Sequence, residues 1–212
     1  MVRRTAMAAV IAFTLLLALS GCAKRVLVDP RVDLAGWGTI GIVEFGSGDD
    51  PELGVQATLE FMQELQRAQP GARILELGSE ERVLREVDSV GLDFEAARAL
   101  GERYEVGAVF VGRLEIERFK PAIRFGQSFA SMEARADVQG ELAARLIETS
   151  SGATVWTRST RSTANVAHVG VPAQGLPTFG AKDPGEAYAN LVSQLVVNAS
   201  HDFRPRWVKQ GR

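Results

Sequence analysis

Few residues in this chain could carry out chemistry, and they stand far apart. The 212 residues include one cysteine, Cys22, and two histidines, His168 and His201. The histidines are separated by 33 positions, and no carboxylates stand near them at the spacing of metal ligands. Because the sequence offers no second thiol nucleophile and no recognisable Ser/His/Asp constellation, we expect no metal site and no enzyme active site. A hydrolase is the alternative, which a broad activity screen would reveal.

Cys22 stands at the end of an amino-terminal segment that has the pattern of a secretory signal. Arg3 and Arg4 are followed by an uncharged, mostly apolar run over 6–19. A helix that crosses a bilayer needs about 20 apolar residues, so this run has the length of a signal peptide's apolar region instead. The run continues into Leu19-Ser20-Gly21-Cys22. An apolar residue, two small residues and a cysteine at this place resemble the lipobox of bacterial lipoproteins.

The resemblance to a lipobox implies a covalent lipid on Cys22, and we expect no other cofactor. In such lipoproteins the thiol carries a diacylglycerol, the chain is cleaved before the cysteine, and the new amino terminus is acylated. Residues 1–21 would then be removed, and the acyl chains would anchor the protein stably to a membrane. Ala23, and not Asp, follows the cysteine, which favours the outer membrane with the domain in the periplasm. An ordinary signal peptide with an incidental cysteine is the alternative.

The composition is that of an ordinary globular protein. Hydrophobic residues make up 46% of the chain, and 24 basic side chains nearly balance 26 acidic ones, for a net charge of −2. This composition excludes a disordered or low-complexity chain. It also gives no electrostatic reason to expect nucleic acid as a partner.

A glycine-rich loop, Gly46-Ser47-Gly48, lies between a predicted strand and a predicted helix, where phosphates often bind. The lysine of a P-loop is missing, and the acidic residues Asp49, Asp50 and Glu52 follow the loop. A nucleotide site and a calcium site are therefore the less favoured hypotheses here, because acids at a helix start are already explained by the helix dipole.

Arginine and glutamate alternate with other residues along the predicted strands. The residues concerned are Arg113, Arg135, Arg145, Arg158, Arg161, Glu115, Glu117 and Glu141. Opposite charges on neighbouring strands predict ion pairs across the sheet. A sheet face that binds a partner is the alternative.

The hydrophobic pattern predicts one α/β domain over 37–203, with a mixed sheet, helices packed on it and a long antiparallel hairpin near its carboxyl end. Apolar, β-branched runs predict strands over 38–45, 73–77 and 106–119. Residues that can cap a first helical turn predict helices after Asp50, Ser79, Asp93 and Asp183. In the third of these helices we expect the core to receive Phe94, Ala97 and Leu100.

The hairpin is predicted from alternation of small or apolar residues with polar ones. The alternation begins at Met132 and continues to about residue 147, which favours a strand, although ELAARLIE over 141–148 has high helix propensity. A turn over 149–152 and a returning strand over 153–164 follow.

The remaining segments are predicted to be irregular. Residues 22–36 read as a lipid-anchored tether, in which Val26, Leu27 and Val28 could dock as an edge segment. Residues 165–182 read as a long Gly/Pro-rich loop, and residues 204–212 as a basic carboxy-terminal tail. Loops of this length inside a compact domain are often functional.

Three segments resemble the periplasmic lipoproteins of the CsgG/LpoB-like superfamily, which includes a curli-secretion lipoprotein and an activator of penicillin-binding proteins. They are the strand over 40–45, the strand over 108–112 and the segment Glu148-Thr149-Ser150-Ser151-Gly152-Ala153-Thr154-Val155-Trp156. The resemblance implies an α/β fold and a non-enzymatic binding or scaffold role in envelope assembly, in peptidoglycan synthesis or secretion. A subunit of an oligomeric secretion or trans-envelope structure is the alternative.

The expected partner is a periplasmic protein, with self-association as a further expectation and the membrane contacted through the lipid anchor. We expect the sheet edge, the 165–182 loop and the basic tail to make the contact. The candidate contact residues are His168, Val171, Leu176, Phe179, Arg206 and Trp207.

Overall fold

The computed structural model describes residues 25–48, 50–125, 132–171, 178–181 and 184–209, with side chains over 25–48, 50–117, 137–165 and 185–208. The predictions for the signal segment, Cys22 and Leu176 lie outside the described residues. The chain forms two compact units. One spans Pro30–Arg204, and the other contains the segments before Pro30 and after Arg204.

The described residues form eight strands and four α-helices. In chain order they are β1 (Arg25–Val28), β2 (Thr39–Val43), α1 (Pro51–Ala68), β3 (Arg73–Gly78), α2 (Glu80–Glu86), α3 (Phe94–Tyr104), β4 (Ala108–Phe125), β5 (Met132–Glu148), β6 (Thr154–Val171), β7 (Thr178–Ala181), α4 (Pro184–Ala199) and β8 (Arg206–Lys209). Short 3₁₀ turns are present at Ala35–Trp37 and Ser200–Phe203. The smaller unit consists of β1 paired with β8.

The larger unit is built on a six-stranded mixed sheet in the order β3-β2-β4-β5-β6-β7. β2 is parallel to both β3 and β4, while β4 through β7 are antiparallel to one another. The parallel neighbours of β2 are reached through helices, as parallel pairing requires. The predicted α/β fold with a mixed sheet and a long antiparallel hairpin is confirmed.

Helices cover both faces of the sheet around β2 and the first half of β4, and α4 also packs on β5 and β6. On one face α1 and α4 cover a core of aromatic rings, of which Phe61 lies 5.3 Å from Phe110 between ring centroids and Trp156 lies 4.7 Å from Phe203. On the other face α2 and α3 cover a second core. β4 is therefore buried on both faces near its start and alternates between buried and exposed residues further along.

Of the four predicted helix caps, two are present, one is not, and Asp183 lies outside the described residues. The Ser79 side chain accepts a hydrogen bond from the Arg82 amide, and the Asp93 side chain accepts one from the Ala96 amide at 2.9 Å. Asp50 makes no such bond, although α1 begins at Pro51 as predicted.

The predicted inward direction of Phe94 is wrong, because its side chain is 50% exposed. Phe94 is the first residue of α3, and its ring lies over the turn at Gly152 and beside Arg98 instead of in the core. Ala97 and Leu100 are buried as predicted.

The predicted hairpin is confirmed, and the prediction of a long loop over 165–182 is partly wrong. β5 is a strand through Glu148, so the helix alternative over 141–148 is excluded. β6 continues to Val171 and β7 covers Thr178–Ala181, where the sequence predicted a loop over 165–182. The predicted tether and tail likewise contain β1 and β8.

Candidate functional site

A broad polar surface lies on the side of β4, β5 and β6 that faces away from α4. The register places alternate residues of the three strands in four rows. The rows are Val111–Arg145–Thr157, Arg113–Ala143–Ser159, Glu115–Glu141–Arg161 and Glu117–Gln139–Thr163. Apart from Val111 and the half-buried Glu141, these side chains are exposed. We call the last three rows the polar sheet face.

The polar sheet face has an ion pair at its centre. Arg161 Nε donates a hydrogen bond of 2.7 Å to Glu141 Oε2, and the Ser159 hydroxyl donates to the other oxygen of the same carboxylate. The Ser159 hydrogen bond, and then that of Arg161, lower the pKa of Glu141 below its ordinary value. This pair confirms the predicted cross-strand ion pairing for Arg161.

The same row contains a second carboxylate, Glu115, whose negative charge is not paired with any basic side chain that the structure describes. Glu115 stands directly opposite Glu141, on the side away from Arg161. Within the described part of the chain the Glu115 side chain has no hydrogen bond or ion pair, and like charges placed opposite each other in a sheet are unfavourable. The row therefore presents uncompensated negative charge to solvent.

The other predicted arginines do not form cross-strand ion pairs in the described residues. Arg145 Nη2 donates to the Leu92 carbonyl at 3.0 Å, and Arg158 reaches Asp202 at 3.2 Å from the opposite side of the sheet. Arg113 is exposed. The side chain of Arg135 lies outside those described.

A cleft of about 520 Å³ adjoins the polar sheet face where α1 begins. Its walls come from the loop before α1, from β4 and from α4. They are lined by Ser47, Gly48, Asp50, Leu53, Arg113, Leu114, Glu115, Ile116 and Tyr188. Arg113 and Glu115 belong to both the cleft and the polar sheet face, so the two form one continuous surface.

The glycine-rich loop beside this cleft is hydrogen-bonded to β4 through the backbone of Gly46. The Gly46 amide donates to the Gly112 carbonyl at 3.0 Å, and the Gly46 carbonyl accepts from the Leu114 amide at 2.7 Å. A phosphate-binding loop needs free amides directed at the ligand. Because the Gly46 amide already has a partner, this geometry does not favour a phosphate site.

The contact residues predicted from sequence fall in both units. His168 stands opposite Gly180, Phe179 opposite Val169, and Val171 opposite Met132, so β6 and β7 place them on one sheet edge. Arg206 and Trp207 belong to β8 in the smaller unit. The polar sheet face has its own signal in the sequence, which is charged residues at every second position along the strands.

Of the two histidines, only His201 has its side chain among those described. In the part of the chain that the structure describes, no group of three or more His, Cys, Asp or Glu side chains could hold a metal ion. His201 is exposed in the 3₁₀ turn after α4. Among the described helices, none combines the length and the apolar character needed to cross a membrane.

The chain matches no protein-family model, and no curated protein matches it. It is similar to a variant of PelC from Paraburkholderia phytofirmans, solved as a dodecamer, with 15% identity and a TM-score of 0.45 over 86% of this chain and 99% of that one. Lipoprotein GNA1162 from Neisseria meningitidis has 13% identity and a TM-score of 0.37, over 76% and 95% of the two chains. The carboxy-terminal domain of LpoB from Salmonella enterica has 8% identity and a TM-score of 0.34, over 64% and 84%.

Bacterial lipoproteins are thus among the structures that this chain resembles. Similarity at this level assigns the chain to no family. The predicted relationship to CsgG stays a prediction.

Proposed function

We propose that this protein is a lipid-anchored, non-enzymatic protein of the bacterial envelope that binds a periplasmic protein through its polar sheet face. The observation that carries the proposal is the exposed array of charged and polar side chains on three paired strands. A role in peptidoglycan synthesis or secretion is the context proposed for this binding.

The geometry of the polar sheet face supports recognition of a protein. Its three rows extend over roughly 14 Å along the strands and roughly 10 Å across them, because alternate residues are about 6.8 Å apart and neighbouring strands about 4.8 Å. Hydrogen bonding between the strands holds the side chains at constant spacing. Both signs of charge are present, which gives a partner an electrostatic pattern to match.

The lipid anchor is proposed from the sequence. Cys22 follows an apolar residue and two small residues at the end of a signal-like segment. Acylation there would hold the protein at the outer membrane, facing the periplasm. A binding module attached in this way samples only partners close to the membrane, which raises their effective concentration.

Charge reversal at the centre of the polar sheet face tests the proposal. Arg161→Glu in the lipidated chain would place a third carboxylate beside Glu115 and Glu141. We expect the yield of the in-cell crosslinked partner, measured by mass spectrometry, to fall by about tenfold, since like charges across an interface cost at least about 1.4 kcal/mol.

The matched control is Arg98→Glu, which also removes an exposed arginine from a surface ion pair. Arg98 lies on α3, and its partner Glu102 is 3.7 Å away. We expect this variant to capture the partner at the wild-type level. Equal capture by Arg161→Glu and Arg98→Glu would show that the partner does not use the polar sheet face.

A second candidate function, a subunit of an oligomeric trans-envelope structure, is favoured by the two sheet edges. β3 and β7 each pair with one strand only, so each leaves one edge of the sheet open in the described residues. Open edges can pair with a strand of another copy. A crosslinking experiment that captures only further copies of this chain, in a ladder of masses, would support this function instead.

A further inference from the structure

The smaller unit exposes nearly every side chain that the structure describes in it. β1 and β8 form an antiparallel ribbon, which we call the ribbon. Its paired residues are Arg25↔Lys209, Val26↔Val208, Leu27↔Trp207 and Val28↔Arg206. All four residues of β1 are exposed, and so are the three residues of β8 whose side chains are described.

The ribbon carries large apolar side chains on both of its faces. Leu27 and Trp207 are 52% and 65% exposed, and they share a face because directly opposed residues of an antiparallel pair point the same way. Val26 and Val208 share the other face. Such a surface is unfavourable in water, and exposed apolar patches mark sites that another surface covers.

The ribbon also carries the kind of charge that an anionic lipid surface attracts. Arg25 lies two residues from Leu27, on the same face, and Arg206 lies next to Trp207 along the strand. Lys24 precedes the ribbon in the sequence. Tryptophan beside basic residues is typical of segments that lie at a membrane interface, because the indole has an apolar body and a polar N–H group.

The distance from the proposed anchor selects the membrane as the surface that covers the ribbon. Only Ala23 and Lys24 separate Cys22 from Arg25. Three residue steps span at most about 11 Å even when fully extended. Acyl chains on Cys22 would therefore keep the first residue of the ribbon within reach of the headgroup layer, which is about 5–8 Å thick on each side of a bilayer.

We infer that the ribbon lies in the headgroup layer of the membrane that carries Cys22, with Leu27 and Trp207 directed to the acyl chains, Arg25 beside them at lipid phosphates, and Arg206 on the other face of the ribbon, within the field of the anionic headgroups. This inference rests on the proposed lipid anchor. It adds a second contact with the membrane, so that the protein is held by a folded element as well as by its lipid.

Quenching of tryptophan emission by brominated lipids tests the inference on the full lipidated chain. The protein is reconstituted in vesicles of phosphatidylethanolamine and phosphatidylglycerol with brominated acyl chains. Trp156 is buried and Trp37 is half-buried, so the difference between the wild type and Trp207→Phe gives the emission that belongs to position 207. We expect brominated lipids to remove most of that emission, and an unchanged emission would overturn the inference.

Removal of the two arginines tests the electrostatic part. We expect Arg25→Gln/Arg206→Gln to reduce the quenched fraction by about half or more, since each basic residue near an anionic surface adds favourable binding energy. The matched control Arg73→Gln/Arg85→Gln removes two exposed charges from the other unit and should leave quenching unchanged. Equal loss in both variants would contradict a specific role for the ribbon.

Flotation of the same vesicles separates failure of the ribbon from failure of the anchor. If the wild-type chain floats with the vesicles, Cys22→Ser does not, and Trp207 is unquenched, then the anchor is supported and the ribbon inference is wrong. If the wild-type chain does not float, both are wrong. Crosslinks from the ribbon to a protein or to a second copy, with no quenching, would show that this protein, and not the membrane, covers the ribbon.

Discussion

At the scale of single residues, Asp202 joins parts of the larger unit that are distant in sequence. Its carboxylate, which is 10% exposed, accepts hydrogen bonds from Trp156 Nε1 at 3.3 Å and Arg158 Nη1 at 3.2 Å. Its carbonyl accepts from the amides of Arg31 and Val32. The residue therefore links β6 to the segment that enters the larger unit.

Replacement of Asp202 by alanine should destabilise the fold. The change leaves the Trp156 N–H group without its partner and Arg158 without its counter-ion, so we expect a loss of about 2 kcal/mol in the free energy of unfolding. Urea unfolding of the chain measures it. Glu102→Ala, which removes an exposed pair with Arg98, should cost less than about 0.5 kcal/mol. Equal effects of the two changes would contradict the role of Asp202.

Glu86 predicts a specific dependence of stability on pH. Hydrogen bonds from the Tyr104 hydroxyl, and then from Arg82 and Arg103, lower the pKa of Glu86 from 4.5 to about 2. A carboxylate whose pKa is lower in the folded chain stabilises it above the unfolded pKa, and this contribution is lost as pH falls towards 2.

The measurement compares the urea midpoints of the wild type and Glu86→Gln as a function of pH. The variant should be less stable near neutral pH, and the difference should shrink between about pH 4.5 and about pH 2 as the wild-type carboxylate takes up a proton. Glu102→Gln serves as the control on an exposed pair. A constant difference between wild type and Glu86→Gln across this range would show that Glu86 is not held by these partners.

At the scale of elements, α1 is docked onto the end of β2 through a glycine and a threonine. The Thr58 hydroxyl donates to the Gly54 carbonyl at 2.8 Å and accepts from the Phe45 amide at 2.8 Å. A β-carbon at position 54 would lie 2.2 Å from the Phe45 carbonyl oxygen. Gly54 therefore allows the helix to approach the strand closely.

Gly54→Ala should lower stability, although alanine is the better helix former. Alanine gains about 1 kcal/mol of helix propensity, but the contact with Phe45 requires the helix to shift. We expect a net loss of about 2 kcal/mol, measured by urea unfolding. Gly71→Ala, where a β-carbon meets nothing within 4 Å, should have a much smaller effect. A stabilised Gly54→Ala variant would show that the helix is free to move.

Elements with local signals could be predicted from the sequence, and elements that depend on distant pairing could not. The start of α1 at an Asp-Pro pair and the alternation in β5 are both visible in short stretches of neighbouring residues. β7 is four residues long and exists through its pairing with β6, in a segment whose glycines and prolines indicate a loop. The pairing of β1 with β8 joins segments that are far apart in the sequence, so no local pattern could predict it.

The candidate site, too, could be predicted only where its signal is local in the sequence. The alternation of Arg and Glu indicated that charges would lie on sheet faces, but the row that combines Glu115, Glu141 and Arg161 depends on the register of three strands. Arg158 follows a similar sequence pattern, yet it reaches the opposite side and pairs with Asp202. Register is set by the whole sheet, because a slip of one residue exchanges its two faces.

At the scale of the whole molecule, the open edges of the sheet determine whether copies of the chain can join. β3 carries the exposed charges Arg73 and Glu76 at its edge, and its register with β2 shifts between Ile42 and Val43. Charged side chains, irregular register and short strands all oppose pairing between edges. β7 is short, with four residues.

We therefore expect light scattering to give the mass of one chain for the detergent-solubilised protein after correction for the detergent. Leu75→Lys, which places a charge at an exposed position of β3, should leave that mass unchanged, because no strand of a second copy pairs with this edge. Leu59→Lys, on the helix α1, adds the same charge at a similarly exposed leucine away from the edge and is the control. A larger mass for the wild type that Leu75→Lys reduces to one chain, and Leu59→Lys does not, would contradict the monomer and would identify the β3 edge as the contact of an assembled structure.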